Sequence, residues 1–369
     1  MDKDYINKPR FLRRLIITSK NFLGVIAKMK RKIFVAVALI LCGIVSLYAR
    51  EPERVSRESF AMNTLIRMSV YADDEKILDE AFDMLSRLDK ELSMYDPSSD
   101  ISMVNSRSGV EGVEVSSEVI AAVRDSRRIY DITGGVFNPL IGPVTRLWKI
   151  NQADNTIPPP ESLDAAVKLS DISNLVIDDG KIFLKSRGCV LDLGGMAKGF
   201  ASDKLADMFK ARGVGAALID LGGNVYVVGR KPEDSSDWNI GVRDPSSPYG
   251  VPALVLSVHD TSVITSGGYE RFKTVNGKRY SHFFDAKTGE SVQNDLLSVT
   301  IVSPDGSLAD GLATAFMASG YEKAVSMMKN IPDLAGVILI RQTADGLEVS
   351  ASENLRSAIS RSSYKTTFI

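Results

Sequence analysis

Cysteine and histidine are scarce in this sequence, which has two of each among 369 residues. One cysteine, Cys42, lies near the N-terminus, so only Cys189 remains in the rest of the chain and a disulfide framework is excluded. An excess of one charge is also missing, since 45 Lys and Arg balance 46 Asp and Glu. No overall field favours nucleic acid or an acidic membrane surface, and we expect no nucleic-acid partner.

The N-terminus carries an uncharged, largely apolar run from Ile33 to Ala49, directly preceded by three basic residues at 30–32. Basic residues followed by an apolar run are typical of a secretory signal peptide. Because the run begins just after Met29, the layout favours Met29 as the true start and residues 1–28 as an artefact of start-site choice. We therefore predict that 1–50 is a signal segment that directs export to the periplasm.

Three fates are open for this segment. A lipoprotein-type peptidase would cleave at Cys42, and an ordinary signal peptidase would cleave after Ala49. A retained membrane helix is the third alternative, because the run is at the short end of a span. The place of Cys42 inside the run favours a lipid anchor on the inner membrane, although Leu41 precedes it where a small residue is usual.

Of all 369 residues, 44% are hydrophobic and 25% are charged, as is typical of a globular protein, and we predict one large domain from 51 to 356. Its elements predict an α+β fold, with antiparallel sheets wrapped by helices. The Ser-rich end at 357–369 is predicted to be a flexible tail. The expected helices are 76–92, 117–132, one ending at Gly213 and one or two within 308–329; the expected hairpins are 175–185 and 216–229; the expected strands are 253–258, 297–304 and 335–341.

Four polar or glycine-rich stretches interrupt the apolar pattern: LDLGGMAKGF (191–200), IDLGGN (219–224), ITSGGYERF (264–272) and SHFFDAKTG (281–289). In the first, a strand is expected to end at Leu193 and a helix to begin near Ala197, with Lys198 in its first turn. A helix N-terminus beside a lysine favours an anion site. A solvated lysine on the surface is the alternative.

Two further features suggest chemistry without establishing it. Asp310 and Thr314 are four residues apart near the start of a predicted helix, so they share a face and could hold a hard cation. The alternative is an N-capping aspartate with a buried threonine. His282, in a predicted apolar strand, is either a catalytic base or a satisfied core histidine.

The ordered set LDLGGMAKGF, ALIDLGGN, ITSGGYERF, GKRYSHFFDAKTGES and ADGLATAFMASG resembles the ApbE family of FAD:protein FMN transferases. The resemblance extends from about Phe60 to Gly336 and includes GGVFNPLIGPVTRLW (134–148). It implies that His282 is the base and that Mg²⁺ binds the carbonyl oxygen of Gly195 and the side chains of Asp310 and Thr314. The positions it implies for FAD are Met62, Asn63, Tyr95, Val136, Phe137, Asn138, Asp192, Lys198 and Phe284.

Three positions depart from the family pattern. Asn63 replaces a common glycine, so its side chain is expected to protrude into the flavin site and to change the balance between transfer and hydrolysis. Asn138 replaces a usual aspartate. Ala313 lies where some relatives have a further carboxylate, which predicts a weaker metal site or one completed by water.

The resemblance implies a Mg²⁺-dependent enzyme that moves FMN from FAD to a Ser or Thr hydroxyl of a partner flavoprotein and releases AMP. Mg²⁺ would neutralise the pyrophosphate, and His282 would take the proton of the attacking hydroxyl. One alternative is an FAD pyrophosphatase that releases free FMN and AMP. Another is an FAD-binding lipoprotein without turnover.

Overall fold

A computed structural model describes residues 53–369 except 151, 153–155, 248–249 and 332–335. The predictions for the signal segment, for Met29 as the start and for a lipid on Cys42 lie outside the described residues. No helix within the described part is both long and apolar enough to cross a bilayer.

The strands are short and mostly antiparallel. In chain order they are β1 (Arg54–Ala61), β2 (Thr64–Tyr71), β3 (Val113–Glu114), β4 (Leu175–Asp178), β5 (Lys181–Leu184), β6 (Ala217–Leu221), β7 (Asn224–Val228), β8 (Trp238–Arg243), β9 (Pro252–Val258), β10 (Thr261–Gly267), β11 (Phe272–Val275), β12 (Lys278–Ser281), β13 (Leu296–Ser303), β14 (Gly336–Thr343), β15 (Gly346–Ala351), β16 (Ile359–Ser362) and β17 (Thr366–Phe368). Within the described residues, a 9-stranded sheet has the order β1-β2-β6-β7-β10-β13-β14-β15-β17. Smaller sheets pair β16-β9-β8, β3-β5-β4 and β11-β12.

The helices lie between and around these strands. In chain order they are α1 (Lys76–Leu92), α2 (Asp100–Ser106), α3 (Ser117–Ile132), α4 (Gly142–Trp148), α5 (Pro160–Leu169), α6 (Ala197–Ala211), α7 (Gly306–Ser319) and α8 (Tyr321–Met328). Helix α1 buries Leu78, Leu85 and Leu92 on one stripe, as an amphipathic helix does. Helix α7 is buried over most of its length, because it packs between α6 and the central sheet.

The core has a layer on each face of the 9-stranded sheet. The larger cluster joins the sheet to the helices and includes Met68, Phe209 and Phe316. The second cluster joins the opposite face to β8 and β9 and includes Trp238 and Leu256. Two layers around a mixed but mainly antiparallel sheet confirm the predicted α+β class.

Local sequence signals located several elements correctly. The helices at 76–92 and 117–132 are confirmed, and Ser116 caps the second through its side chain. The hairpin at 175–185 turns through Asp179 and Gly180, whose φ angles are 36° and 77°. Left-handed backbone favours Asp-Gly in such two-residue turns. Of the one or two helices expected within 308–329, the structure has two, separated at Gly320.

The C-terminal residues differ from the predicted flexible tail. Strand β16 pairs with β9, and β17 pairs in parallel with β15, so 359–362 and 366–368 belong to the sheets. Ile359 and Phe368 pack against the second core cluster. The polar composition suggested fraying, but the backbone of this segment completes two sheet edges that would otherwise expose unpaired groups.

The strand predicted to end at Leu193 is also absent, because residues 189–193 belong to no strand or helix. Their backbone groups are satisfied by other partners. The buried Asn105 donates from Nδ2 to the Leu191 carbonyl oxygen at 3.0 Å and accepts from the Leu191 N–H at 2.6 Å. The Asn105 amide thus satisfies the backbone N–H and carbonyl oxygen of Leu191, which a neighbouring strand would otherwise pair.

Candidate active site

A cavity of about 420 Å³ lies where α4, α6 and α7 meet the end of β10 and the residues after β12. Its volume is within the range of small-molecule sites. Apart from Met62 and Asn63, every residue predicted from the sequence lines it. These residues are Tyr95, Val136, Phe137, Asn138, Asp192, Gly195, Lys198, His282, Phe284, Asp310 and Thr314.

The floor of the cavity includes the turn that leads into α6. Asp192 accepts from the Thr145 hydroxyl at 3.0 Å and from the Gly194 N–H at 2.9 Å, which fixes its carboxylate. Burial raises the pKa of Asp192, and these hydrogen bonds oppose the rise. Helix α6 begins at Ala197, so Lys198 lies in its first turn as predicted. The N-terminus of α6 and Lys198 together offer positive charge to an anion.

Asp310 and Thr314 lie one turn apart on α7 and both face the cavity. Thr314 Oγ1 donates to the Gly195 carbonyl oxygen at 3.0 Å. Asp310 Oδ2 accepts from the Gly199 N–H at 2.9 Å. The N-cap of α7 is Asp305, whose side chain accepts from the Leu308 N–H. The capping alternative for Asp310 is therefore wrong.

The close approach of α6 and α7 depends on Gly199. A Cβ at this position would lie 2.1 Å from the Gly306 carbonyl oxygen and 2.8 Å from the Asp310 Cβ. No real Cβ tolerates such contacts, so only glycine allows the first turn of α6 to reach Asp310.

These oxygen atoms fit a hard cation. Two oxygens that each lie about 2.1 Å from one Mg²⁺ ion, at right angles to each other, are about 3.0 Å apart. The 3.0 Å between Gly195 O and Thr314 Oγ1 agrees with that spacing. This set of oxygen ligands holds one carboxylate, that of Asp310, and the described residues contain no group of three or more His, Cys, Asp or Glu suited to a metal. Burial raises the pKa of Asp310, with Lys198 opposing the rise.

His282 follows the last residue of β12 instead of lying within a strand. Its Nδ1 lies 3.0 Å from the Arg271 carbonyl oxygen, which can only accept, so Nδ1 carries the proton. Nε2 is then the lone-pair nitrogen of a ring that lines the cavity. Burial, with the charges of Arg271 and Lys198, lowers the pKa of His282 to about 4. The histidine is neutral at physiological pH, as a general base must be.

Aromatic and apolar side chains form another part of the wall. Phe284 stacks on Trp148 with ring centroids 5.8 Å apart. Tyr95 lines the cavity and remains 71% exposed, which places it at the mouth. Asn138 donates to the Ser170 carbonyl oxygen at 2.8 Å, a bond that an ionised aspartate could not make. The amide therefore stabilises the loop that carries Val136 and Phe137.

Met62 and Asn63 form the turn between β1 and β2, and neither lines the cavity. Their φ angles are 48° and 58°, a left-handed conformation that glycine and asparagine adopt most easily. The Met62 N–H donates to Asp89 Oδ2 at 2.9 Å, and Asn63 is exposed. The left-handed backbone at position 63 explains why asparagine is suitable there, and the Asn63 side chain does not protrude into the cavity.

Sequence reasoning missed several charged residues of the lining. Arg146, Glu270 and Arg271 all lie there. Burial raises the pKa of Glu270, while Lys198 and Arg271 lower it. The signal was present, since ITSGGYERF contains Glu270 and Arg271. The sequence alone did not show that Glu270 and Arg271, which follow β10, line the same cavity as the start of α6.

Comparison with known proteins agrees with the fold and the motifs. The family model described as the ApbE family matches residues 62–338. A relative from Treponema pallidum, named FAD:protein FMN transferase, is 34% identical over 320 residues, covering 81% of this chain and 88% of the relative. One of the same name from Klebsiella pneumoniae is 28% identical over 288 residues, covering 78% and 89%. The solved flavin transferase ApbE from Vibrio cholerae has a TM-score of 0.74 at 26% identity, covering 83% of this chain and 99% of that one.

The matched region contains the whole cavity and the strands that support it. The family model spans well over half of the chain, and the T. pallidum relative exceeds 30% identity over most of both sequences. The chain belongs to the ApbE family of transferase enzymes.

Proposed function

We propose that this chain is a Mg²⁺-dependent FAD:protein FMN transferase that attaches FMN to a Ser or Thr hydroxyl of a partner protein and releases AMP. The observation that carries the proposal is the convergence on one cavity of a neutral histidine, an oxygen ligand set and the positive N-terminus of α6. The names of the relatives support flavin transfer as the reaction.

Each residue has a defined task in this reaction. The N-terminus of α6, Lys198 and Arg271 hold the dianionic pyrophosphate by charge. The acceptor hydroxyl oxygen bonds to the phosphorus of the FMN half, while the bond from that phosphorus to the bridging oxygen breaks. AMP leaves with the electron pair of that bond. His282 Nε2 takes the proton of the hydroxyl, and the Arg271 carbonyl oxygen holds the ring through Nδ1.

Gly195, Asp310 and Thr314 would hold the metal. Mg²⁺, when bound, would act as a Lewis acid that offsets the charge developing on the phosphate oxygens. Asp310 contributes the charge of this ligand set, and the Gly195 carbonyl and Thr314 hydroxyl contribute dipoles.

The N-terminal sequence supports a periplasmic location with an anchor in the inner membrane. The support is the basic stretch at 30–32 followed by the apolar run at 33–49, with Cys42 as the site of lipid attachment. An exported transferase would meet its acceptor flavoprotein on the same side of the membrane.

One experiment separates the proposal from its competitors. The full chain in detergent is incubated with FAD and Mg²⁺, with and without an acceptor carrying a Ser or Thr site, and AMP is measured. Transfer predicts AMP with acceptor and a covalently flavinylated acceptor. Equal AMP release without acceptor would make the enzyme a pyrophosphatase. Intact FAD in both reactions would make the chain a binding protein.

A further inference from the structure

The side-chain amide of Asn224 is buried without a well-formed hydrogen bond. Asn224 is 1% exposed, and neither Nδ2 nor Oδ1 makes a hydrogen bond of ordinary geometry within the described part of the chain. The one other buried side-chain atom of this kind there is Ser298 Oγ. A buried amide that leaves both its donor and its acceptor unpaired opposes folding. Such a group calls for an explanation.

The position of Asn224 is set by the hairpin between β6 and β7. Gly222 and Gly223 turn with φ angles of 67° and 93°, and Asn224 is the first residue of β7. Tyr226 and Val228, two and four residues later, lie in the larger core cluster, which joins the sheet to the helices. Because side chains alternate along a strand, Asn224 faces the same side, toward α6 and α7.

On that side the amide faces the Asp310 carboxylate. The Asn224 side chain acts on Asp310 as a hydrogen-bond donor that lowers the pKa of the carboxyl, as the Lys198 charge and the Gly199 N–H also do, so the amide lies beside the carboxylate. The Gly199 N–H already donates to Asp310 Oδ2 at 2.9 Å. The contact from Asn224 is longer or less well aligned than an ordinary hydrogen bond, so the amide lies next to the Asp310 carboxylate without a well-formed bond.

We propose that Asn224 is a positioning residue of the cation site, donating from Nδ2 to the Asp310 carboxylate and accepting at Oδ1 from water on the bound metal. The inference rests on the proposed function, because it takes Asp310 as the Mg²⁺ ligand. Hydrogen-bond partners behind a metal-binding carboxylate fix its direction, and Asp310 is the one carboxylate of the proposed ligand set. An amide supplies the donor without adding a second negative charge beside Asp310.

The test measures metal affinity in the absence of FAD. The full chain in detergent is titrated with Mg²⁺ by calorimetry and with Mn²⁺ by electron paramagnetic resonance, for wild type, Asn224→Leu and Asn224→Ser. Leucine keeps the branching of asparagine at Cγ, although it is larger, and removes both polar atoms. Serine is smaller and removes the amide without overpacking. We expect about 10–100-fold weaker binding in both variants, the usual effect of losing such a partner.

Ser298→Ala is the matched control, since it removes the other buried unpaired group. It should leave metal affinity unchanged. Wild-type affinity in the Asn224 variants, or an equal loss in Ser298→Ala, would overturn the inference. If Asp310→Ala weakens binding and the Asn224 variants do not, this inference alone fails. If wild type itself binds neither cation, the metal assignment of the proposed function fails with it.

Discussion

His282 gives a quantitative prediction for the pH dependence of turnover. Burial, with the charges of Arg271 and Lys198, lowers its pKa to about 4 in the free protein. At about pH 5.5 a group with that pKa is about 97% neutral, whereas a histidine with an ordinary pKa of about 6.5 is about 9% neutral. A general base acts only in its neutral form. We therefore expect kcat/KM for AMP release to stay nearly constant down to about pH 5.5, instead of falling about tenfold.

Bound FAD should change the pKa of His282. The pyrophosphate offsets the charges of Lys198 and Arg271, which lower that pKa in the free protein. The fall of kcat at low pH reports the pKa of His282 in the enzyme–FAD complex, whereas the fall of kcat/KM reports its pKa in the free enzyme. The fall of kcat should therefore lie at higher pH than that of kcat/KM. Arg271→Gln removes one of the two charges, so it should also move the kcat/KM limb to higher pH.

The assay is the initial rate of AMP release with acceptor at a series of pH values. Mg²⁺ is kept saturating, because burial raises the pKa of Asp310 and proton competition there would add a second limb. His282→Gln should lose about 10²–10⁴-fold in rate and show no limb from this group. A kcat/KM limb at about pH 6.5, or an unchanged profile in His282→Gln, would refute the assignment.

Three further predictions concern packing, the β1–β2 turn and the anchor. Gly199→Ala should cost about 1–3 kcal/mol in the free energy of unfolding and weaken Mg²⁺ binding, because its Cβ would meet Gly306 and Asp310. Denaturant unfolding measures the loss of stability. Gly215→Ala is the control and should have little effect, because no atom lies within 4 Å of its new Cβ. Asn63→Gly preserves the left-handed turn, so stability should hardly change, while the family resemblance predicts less AMP release without acceptor; unchanged release would restrict Asn63 to a role in the turn. Cys42→Ser should abolish lipid labelling in cells, and persistent labelling would remove the anchor.

Sequence patterns located the elements whose signals are local. The stripe of α1 and the Ser116 cap of α3 depend on residues within one or two turns, so spacing alone sets their bounds. The Asp179–Gly180 turn is likewise encoded by two residues. Pairing between distant strands has no such signal. The parallel pairing of β17 with β15 depends on the fold of the whole domain, and this is why the predicted tail was wrong.

The site residues that lie within family motifs could be predicted from the sequence. The roles that depend on contacts between distant parts of the chain could not. Spacing alone could not decide whether Asp310 capped its helix, because the helix start was uncertain, and the cap is Asp305. The direction of the Arg271 side chain depends on how the end of β10 meets α6. Only the folded structure shows that the buried Asn224 amide lacks a well-formed hydrogen bond.

The measurement that most directly tests the cavity as a metal-dependent active site is AMP release as a function of Mg²⁺ concentration, with melting temperatures taken on the same proteins. Wild type should saturate. Asp310→Ala should nearly abolish release, because the proposed set of metal ligands loses its one carboxylate. Thr314→Ala should need more Mg²⁺ for a given rate, with a milder loss, because a hydroxyl contributes only a dipole. If Asp310→Ala instead keeps wild-type activity and the same Mg²⁺ requirement, the metal assignment and the proposed mechanism are both wrong.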